Sequence, residues 1–128
     1  MNPVLIVDDS MFIRNRMRQV LAGAGYLVEE ASNGRAALDK IAGRERGCGF
    51  DGIVTDLVMP EMDGFSLLAA LRDGGSRIPV LVMTADIQNT TRSRCEELGA
   101  RYVLNKPVNA DQLLETLGRM IAQAVPAP

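Results

Sequence analysis

The sequence contains no histidine and no tryptophan among its 128 residues. Without an imidazole, this chain cannot build a Ser-His-Asp or Cys-His catalytic site, a histidine metal site or a phosphohistidine carrier. Any chemistry that the chain performs must therefore use carboxylates, lysine and hydroxyl groups.

Cysteine is also scarce, since only Cys48 and Cys95 are present, far apart and without CxxC spacing. This pattern disfavours a disulfide framework or a zinc site and favours reduced thiols. No apolar run approaches the ~18 residues that a membrane span needs, and the first residues resemble no secretory leader. We expect a cytoplasmic protein without membrane insertion.

The charges are nearly balanced, with 14 basic and 16 acidic side chains and a net charge of −2. Nucleic-acid binding usually requires a concentrated positive patch, so no direct contact with nucleic acid is expected. The length fits one domain, which we place at residues 1–122. Residues 123–128 are Ala/Pro-rich and form either a terminal tail or the start of a linker to an effector domain.

Apolar runs of strand length alternate with helical patterns along the chain. Strands are predicted at Tyr26–Ala31, Val4–Val7, Gly52–Thr55, Val80–Met83 and Tyr102–Leu104. Each strand precedes a predicted helix, and the N-cap candidates are Ser10, either Ser32 or Asn33, and Asn109. We predict a loop at Gly43–Gly49. One face of the fourth helix should carry Ile87, Thr91, Cys95 and Leu98.

This alternation predicts an α/β fold with a parallel sheet and helices on both of its faces. Uninterrupted strands such as Val80–Met83 support burial on both faces. We expect the flavodoxin-like doubly wound (βα)5 sandwich of three layers, with five strands in the order 2-1-3-4-5. Ligands of such sheets bind beyond the carboxyl ends of the strands.

Polar side chains follow the carboxyl ends of four predicted strands. In the order 2-1-3-4-5, these ends lie side by side and bring together Asp8, Asp9, Asp56, Thr84 and Lys106. Three neighbouring carboxylates cannot all stay ionised without a counter-charge. A divalent cation and the Lys106 ammonium together would balance them.

Magnesium suits this site, because it prefers oxygen ligands and is often held by one or two carboxylates plus a phosphate oxygen. A lysine beside an open cation site favours the receipt of a phosphoryl group. Asp56 is then the candidate nucleophile and would form an acyl phosphate. Lys106 and the metal would neutralise the transferring oxygens, and Thr84 would offer them its hydroxyl.

Four motifs carry a resemblance to a known family. They are DD at Asp8-Asp9, IVTDLVMPEMDG ending at Gly64, TA at Thr84-Ala85, and KP at Lys106-Pro107. In this order and spacing the chain resembles the receiver domains of two-component response regulators, of the stand-alone chemotaxis type. The resemblance covers about the whole chain.

The resemblance implies a role for each residue of the site. Asp56 is similar to the phospho-acceptor, and Asp9 and Asp56 to direct magnesium ligands, with the Val58 carbonyl as a third. Asp8 is similar to an outer ligand that acts through water. Lys106 is similar to the phosphate-binding lysine, with a cis peptide bond to Pro107.

The resemblance also implies partners. A histidine kinase or a phosphotransfer protein would donate the phosphoryl group, and a downstream effector protein would read the surface of the fourth helix, fifth strand and fifth helix. Such a receiver is a regulator rather than an enzyme, since it assists only its own phosphorylation and dephosphorylation. It would be a monomer or a phosphorylation-dependent dimer.

The sequence departs from the family pattern near the site. Receivers usually carry an aromatic residue three positions before the lysine, where it changes rotamer together with the threonine. This chain has Val103 at that position. Tyr102 is one position earlier and should therefore lie on the other face of the strand. In the family, the positions of Val58 and Asp86 look out over the phosphoryl group and influence its removal by water. An apolar Val58 cannot orient that water, whereas Asp86 would either orient or repel it.

Two other functions fit the pattern less well. A phosphatase with an aspartyl nucleophile, of the haloacid dehalogenase type, would carry DxDxT at the first strand, where this chain has DDSMF. A pseudo-receiver would share the fold and bind a partner without phosphorylation. Outside the site, Arg14, Arg16 and Arg18 either dock a phosphotransfer partner or form a charged exposed face.

Overall fold

Strands and helices alternate along the chain in the structure, a computed structural model that describes residues 2–44 and 49–124. The strands are β1 (Val4–Val7), β2 (Val28–Ala31), β3 (Gly52–Asp56), β4 (Val80–Thr84) and β5 (Tyr102–Asn105). The helices are α1 (Met11–Gly23), α2 (Gly34–Arg44), α3 (Gly64–Asp73), α4 (Asn89–Glu97) and α5 (Ala110–Gln123).

The strands form one parallel sheet in the order β2-β1-β3-β4-β5. This order confirms the predicted flavodoxin-like doubly wound fold. Because all strands run in the same direction, their carboxyl ends meet along one edge of the sheet. The polar residues that follow β1, β3, β4 and β5 are therefore neighbours.

Both faces of the sheet are buried, and each has its own core. Leu5 and Val7 of β1 belong to a core that includes side chains of α2, α3 and α4. Val4 and Ile6 of the same strand belong to a second core, with α1 and α5. Burial of apolar surface contributes about 25 cal/mol per Å², which explains why an uninterrupted apolar strand is stable here.

Side chains cap four of the helices. The capping oxygens belong to Ser10, Asn33, Asp63 and Asn109, and each accepts a hydrogen bond from the backbone amide three residues later. The predicted caps Ser10 and Asn109 are confirmed, and Asn33 rather than Ser32 caps α2. These caps fix where each helix leaves the sheet edge.

Some predicted boundaries were wrong. β2 begins at Val28 because the Tyr26 amide instead donates to the Leu21 carbonyl and closes the end of α1. Gly43 belongs to α2 rather than to a loop. Ile87 lies before α4 and is 76% exposed, so the apolar spacing extended the predicted face beyond the helix.

Some predictions lie outside the described residues. These are the middle of the predicted loop, at residues 45–48 with Cys48, and residues 125–128 of the predicted tail. The division of the chain at residue 122 therefore stays a prediction. In the described ranges, no helix is both long and apolar enough to cross a membrane.

Candidate functional site

Asp56 ends β3 at the carboxyl edge of the sheet, where its carboxylate contacts Lys106. Oδ1 of Asp56 lies 3.3 Å from Nζ of Lys106 and accepts a hydrogen bond from the Leu57 amide at 2.9 Å. The Thr55 hydroxyl donates to the Asp56 carbonyl at 2.9 Å. β3 is buried up to this residue, so a rigid strand holds a carboxylate that still reaches solvent.

Asp8 follows β1 and is 1% exposed. Its Oδ1 accepts a hydrogen bond from the Ser10 amide at 2.9 Å, and its Oδ2 lies 3.6 Å from Nζ of Lys106 without a hydrogen-bond partner. Burial raises the pKa of Asp8, and the charges of Asp56 and Asp9 add to that rise against the Ser10 amide and Lys106. A buried carboxylate oxygen without a donor is a ready ligand for a cation.

Asp9 completes an acidic cluster, which we define as Asp8, Asp9 and Asp56. One carboxylate oxygen from each residue lies within 4.8 Å of the others. Asp9 is exposed, so the cluster opens to solvent. Lys106 supplies one positive charge against three carboxylates, and the oxygen-only donor set fits Mg²⁺.

Lys106 is positioned by the end of β5. Its amide donates a hydrogen bond to the Thr84 carbonyl at 2.8 Å, and its peptide bond to Pro107 is cis. This places the ammonium between Asp8 and Asp56, at the distances given above. Lys106 thus brings an ammonium group to two carboxylates of the acidic cluster, those of Asp8 and Asp56.

Thr84 ends β4 and is buried. Its neighbour Met83 pairs with Asp56 in the sheet, so Thr84 lies one residue beyond the level of Asp56. The hydroxyl oxygen of Thr84 accepts a hydrogen bond from the Asp86 amide at 3.0 Å. The hydroxyl is therefore connected to the loop between β4 and α4.

Asp86 has a role that the sequence did not predict. Its Oδ2 accepts a hydrogen bond from the Thr91 hydroxyl at 2.6 Å, and its Oδ1 accepts one from the Gln88 amide at 2.9 Å. The bonds from Thr91 and Gln88 lower the pKa of Asp86. Both carboxylate oxygens thus contact residues at the start of α4. An effect of Asp86 on the water that removes a phosphoryl group stays a prediction.

Val58 lies in the loop after Asp56, and its side chain is 80% exposed. The loop folds back through a hydrogen bond of 2.8 Å from the Gly64 amide to the Leu57 carbonyl. The side chain points to solvent and offers no polar atom. The role of the Val58 carbonyl as a metal ligand stays a prediction.

Tyr102 and Val103 lie on opposite faces of β5, as the alternation of side chains predicts. Val103 is buried in the core shared by α2, α3 and α4. Tyr102 packs against the core of α1 and α5, and its hydroxyl donates to the Gln123 side chain at 2.8 Å. No aromatic side chain therefore occupies the position of Val103 beside α4.

Arg14 is a further residue whose contacts the sequence did not predict. Arg14 is not part of an exposed face, because only 14% of its side chain is exposed, whereas Arg16 and Arg18 are exposed. A docking role for the three arginines stays a prediction. The Arg14 guanidinium contacts Glu30 of β2 and the Asp8 carbonyl. The sequence gives one signal for these contacts. Arg14 and Arg18 are four residues apart on α1, and the acidic Glu30 lies near the end of β2.

Comparisons with known proteins agree with this geometry. Chemotaxis protein CheY4 of Vibrio cholerae is 38% identical and superposes with a TM-score of 0.85, covering 94% of this chain and 98% of that chain. The receiver domain of the Francisella response regulator 1452 is 26% identical with a TM-score of 0.89, covering 98% of this chain and 100% of that chain.

Among curated proteins, the response regulator MprA of Mycolicibacterium vanbaalenii is 35% identical over 123 residues, which are 96% of this chain and 52% of that protein. The chain thus spans about half the length of the curated relatives it matches. The family model described as the response regulator receiver domain matches residues 4–118. On this match, over most of its length, the chain belongs to the receiver domains of two-component response regulators.

Proposed function

We propose that this receiver is a phospho-acceptor switch in which Asp56 accepts a phosphoryl group from a histidine kinase or a phosphotransfer protein. The observation that carries the proposal is the contact of 3.3 Å between the Asp56 carboxylate and Nζ of Lys106, inside the acidic cluster. A nucleophile needs an exposed oxygen and a nearby positive charge for the oxygens it receives, and Asp56 has both.

The transfer follows from these contacts. A carboxylate oxygen of Asp56 attacks the phosphorus, the bond from phosphorus to the donor imidazole nitrogen breaks, and the electron pair stays on that nitrogen. Lys106 pairs with the oxygens of the group on Asp56. The hydroxyl of Thr84, one residue beyond the acceptor's level, donates a hydrogen bond to one of them.

Magnesium would be held by the acidic cluster, with Asp9 and Asp56 as direct ligands, Asp8 through water and the Val58 carbonyl as a further ligand. The unpartnered Oδ2 of Asp8 supports this assignment, because a buried carboxylate oxygen without a donor is unfavourable until a cation approaches. When bound, Mg²⁺ neutralises charge on the phosphoryl oxygens during transfer.

The output surface is formed by α4, β5 and α5. Phosphorylation adds nearly two negative charges and draws the Thr84 hydroxyl toward them. That movement changes the hydrogen bond to the Asp86 amide, and Asp86 in turn holds Gln88 and Thr91 at the start of α4. This route replaces the coupling to an aromatic residue at the position of Val103.

We propose that the partner reading this surface is a protein and that the receiver acts in the cytoplasm, where histidine kinases present their phosphoryl groups. The buried free thiol of Cys95 is consistent with a reducing compartment. The receiver regulates rather than catalyses, apart from assisting its own phosphorylation and dephosphorylation.

Intact-mass spectrometry tests the proposal. The protein is incubated with a small acyl phosphate, with Mg²⁺ or with EDTA, as wild type, Asp56→Asn and Asp39→Asn. Asp39 is an exposed acid of α2 and serves as the matched control. We expect one added phosphoryl group in wild type and Asp39→Asn, only with Mg²⁺, and none in Asp56→Asn.

The other outcomes point to other functions. Continuous release of phosphate from a generic phosphomonoester would instead indicate an aspartyl phosphatase. A folded protein that gains no mass with Mg²⁺ would indicate a pseudo-receiver. Equal labelling of Asp56→Asn would show that another residue is the acceptor.

A further inference from the structure

Arg14 bridges α1 and the two strand ends beside the acidic cluster. Its Nη1 donates a hydrogen bond to the Asp8 carbonyl at 2.6 Å, and its Nε donates to Oε1 of Glu30 at 3.1 Å. The side chain is largely buried. A buried guanidinium in two fixed contacts is a geometric constraint rather than a solvated charge.

The carbonyl that Arg14 contacts belongs to the peptide bond between Asp8 and Asp9. The Asp8 amide donates to the Ala31 carbonyl at 3.1 Å, and the Asp8 side chain accepts from Ser10. Arg14 therefore supplies the hydrogen bond to the second backbone polar group of Asp8, its carbonyl. Because a peptide unit is planar, fixing the direction of its carbonyl also fixes where the Asp9 backbone begins.

Glu30 keeps Arg14 in place. Its carboxylate also accepts a hydrogen bond from Arg18, so one acid is held between two arginines. Burial alone would raise the pKa of Glu30, but the contacts with Arg18 and then Arg14 outweigh it and lower that pKa. Glu30 is thus ionised at neutral pH and orients the guanidinium.

We infer that Arg14 is a positioning residue for cation binding. It fixes the Asp8–Asp9 peptide and so sets the relative positions of two of the three carboxylates of the acidic cluster. This inference rests on the magnesium site of the proposed function. Arg14 touches neither the phosphoryl group nor the metal in this account. It acts through the backbone of Asp8.

Charge alone would give Arg14 the opposite effect. A positive side chain near a cation site repels the cation, so its removal should tighten Mg²⁺ binding if charge were its only contribution. Lysine keeps the charge but lacks the planar fork that reaches Glu30 and the Asp8 carbonyl together. Arg14→Lys therefore separates geometry from charge.

Calorimetric titration with Mg²⁺ alone tests the inference on wild type, Arg14→Lys, Arg14→Met and Arg18→Met. Arg18 is the matched control, since it shares Glu30 with Arg14 and lies on the same helix. We expect both Arg14 variants to raise the Kd for Mg²⁺ about tenfold, as is typical when the support of a metal ligand is lost. Arg18→Met should leave the Kd within about twofold of wild type.

A wild-type Kd in Arg14→Lys, with tighter binding in Arg14→Met, would overturn the inference and leave Arg14 with a charge effect only. Equal weakening in Arg18→Met would assign the effect to Glu30 and overturn it too. Circular dichroism shows whether each variant folds. If Arg14→Met does not fold, Arg14→Lys carries the test against Arg18→Met, since only Arg14→Lys should weaken Mg²⁺ binding.

A measurement on the metal-free protein separates this inference from the proposed function. In ¹⁵N relaxation and amide shifts, Arg14→Lys should change Asp9 and Ser10 and make them more mobile, while Arg18→Met should not. If wild type binds no Mg²⁺, the proposed function fails, and these amides still report whether Arg14 orders the peptide. If the amides are unchanged in Arg14→Lys, the inference fails even when wild type binds Mg²⁺.

Discussion

The loop after β3 and the loop after β4 both border the acidic cluster, but different groups hold them. Backbone carbonyls of the β3–α3 loop accept from backbone amides, Leu57 from Gly64 at 2.8 Å and Met62 from Gly34 of α2 at 3.1 Å. In the β4–α4 loop, the exposed side chain of Asp86 makes the main contacts.

This difference matches what each loop has to do in the proposed switch. The β3–α3 loop follows the proposed acceptor, and its end at Gly64 is packed closely against the backbone of Asp56 and Leu57. The β4–α4 loop lies between Thr84 and α4, and solvent-exposed hydrogen bonds exchange at low free energy. At this edge of the sheet, Asp56 thus precedes a closely packed loop, and Thr84 precedes a loop whose hydrogen bonds are exposed to solvent.

The largest effect should come from Gly64→Ala, which disturbs the closely packed end of the β3–α3 loop. A Cβ at Gly64 would lie 2.7 Å from the Asp56 carbonyl oxygen and 2.9 Å from the Leu57 Cα, and both are backbone atoms. We expect a loss of about 3 kcal/mol in the free energy of unfolding, since overpacked backbone must move. Urea denaturation measures it.

Gly23→Ala is the control, because nothing lies within 4 Å of its Cβ position. Its unfolding free energy should change by less than about 1 kcal/mol. Equal small changes in both variants would show that the β3–α3 loop is not as constrained as its contacts indicate.

Val103→Phe should have the next largest effect. It tests whether the core beside α4 has room for the aromatic residue that other receivers carry at this position. Val103 is 5% exposed, so the larger phenylalanine side chain must displace its neighbours in the core. We expect a loss of about 2 kcal/mol by overpacking. Tyr102→Phe, on the other face of β5, should change stability by about 0.5 kcal/mol or less. An unchanged free energy of unfolding in Val103→Phe would show that the core beside α4 has room for an aromatic side chain.

Asp8→Asn should act in the opposite direction and stabilise the metal-free protein at neutral pH. The raised pKa means that Asp8 favours folding most below its ordinary pKa of 3.8 and loses that contribution as the pH rises through the folded pKa. Asparagine removes the buried charge and keeps an oxygen for the Ser10 amide.

The stabilisation in Asp8→Asn should therefore shrink as the pH falls toward the ordinary pKa of an aspartate, and urea denaturation in EDTA across pH measures it. The same variant should lose stabilisation by Mg²⁺. A destabilised variant at neutral pH would contradict the account of Asp8 as an acid that the fold tolerates for its ligand.

The smallest effect on global stability should come from Asp86→Ala. The side chain is exposed, so the unfolding free energy should hardly change, but the Gln88 amide, which donates to Oδ1 of Asp86, should exchange faster with solvent. Hydrogen exchange by NMR measures this. Asp73→Ala, an exposed acid at the end of α3, is the control and should leave the start of α4 unchanged.

The sequence was sufficient for features that depend on neighbours in the chain. Asn109 caps α5 through an amide three residues away, and the apolar runs of β1 and β4 imply burial on both faces. The meeting of Asp8, Asp56 and Lys106 could also be predicted, because a parallel sheet of this order places those strand ends together.

Features that depend on side-chain conformation could not be predicted. The contact of Arg14 with the Asp8 carbonyl needs both the crossing of α1 over β1 and one rotamer of a flexible side chain. The contacts of Asp86 with Gln88 and Thr91 likewise depend on one side-chain conformation. Ile87 has helical spacing yet lies in the loop, since spacing alone does not show where a helix begins.

The most direct test of the switch is an NMR comparison of the protein with Mg²⁺ alone and with Mg²⁺ and beryllofluoride, which mimics the phosphoryl group. We predict amide shift changes that begin at Asp56 and Lys106 and extend through Asp86 to Thr91 in α4, and that are absent in Asp56→Asn. Changes confined to the acidic cluster, or equal changes in Asp56→Asn, would contradict the account.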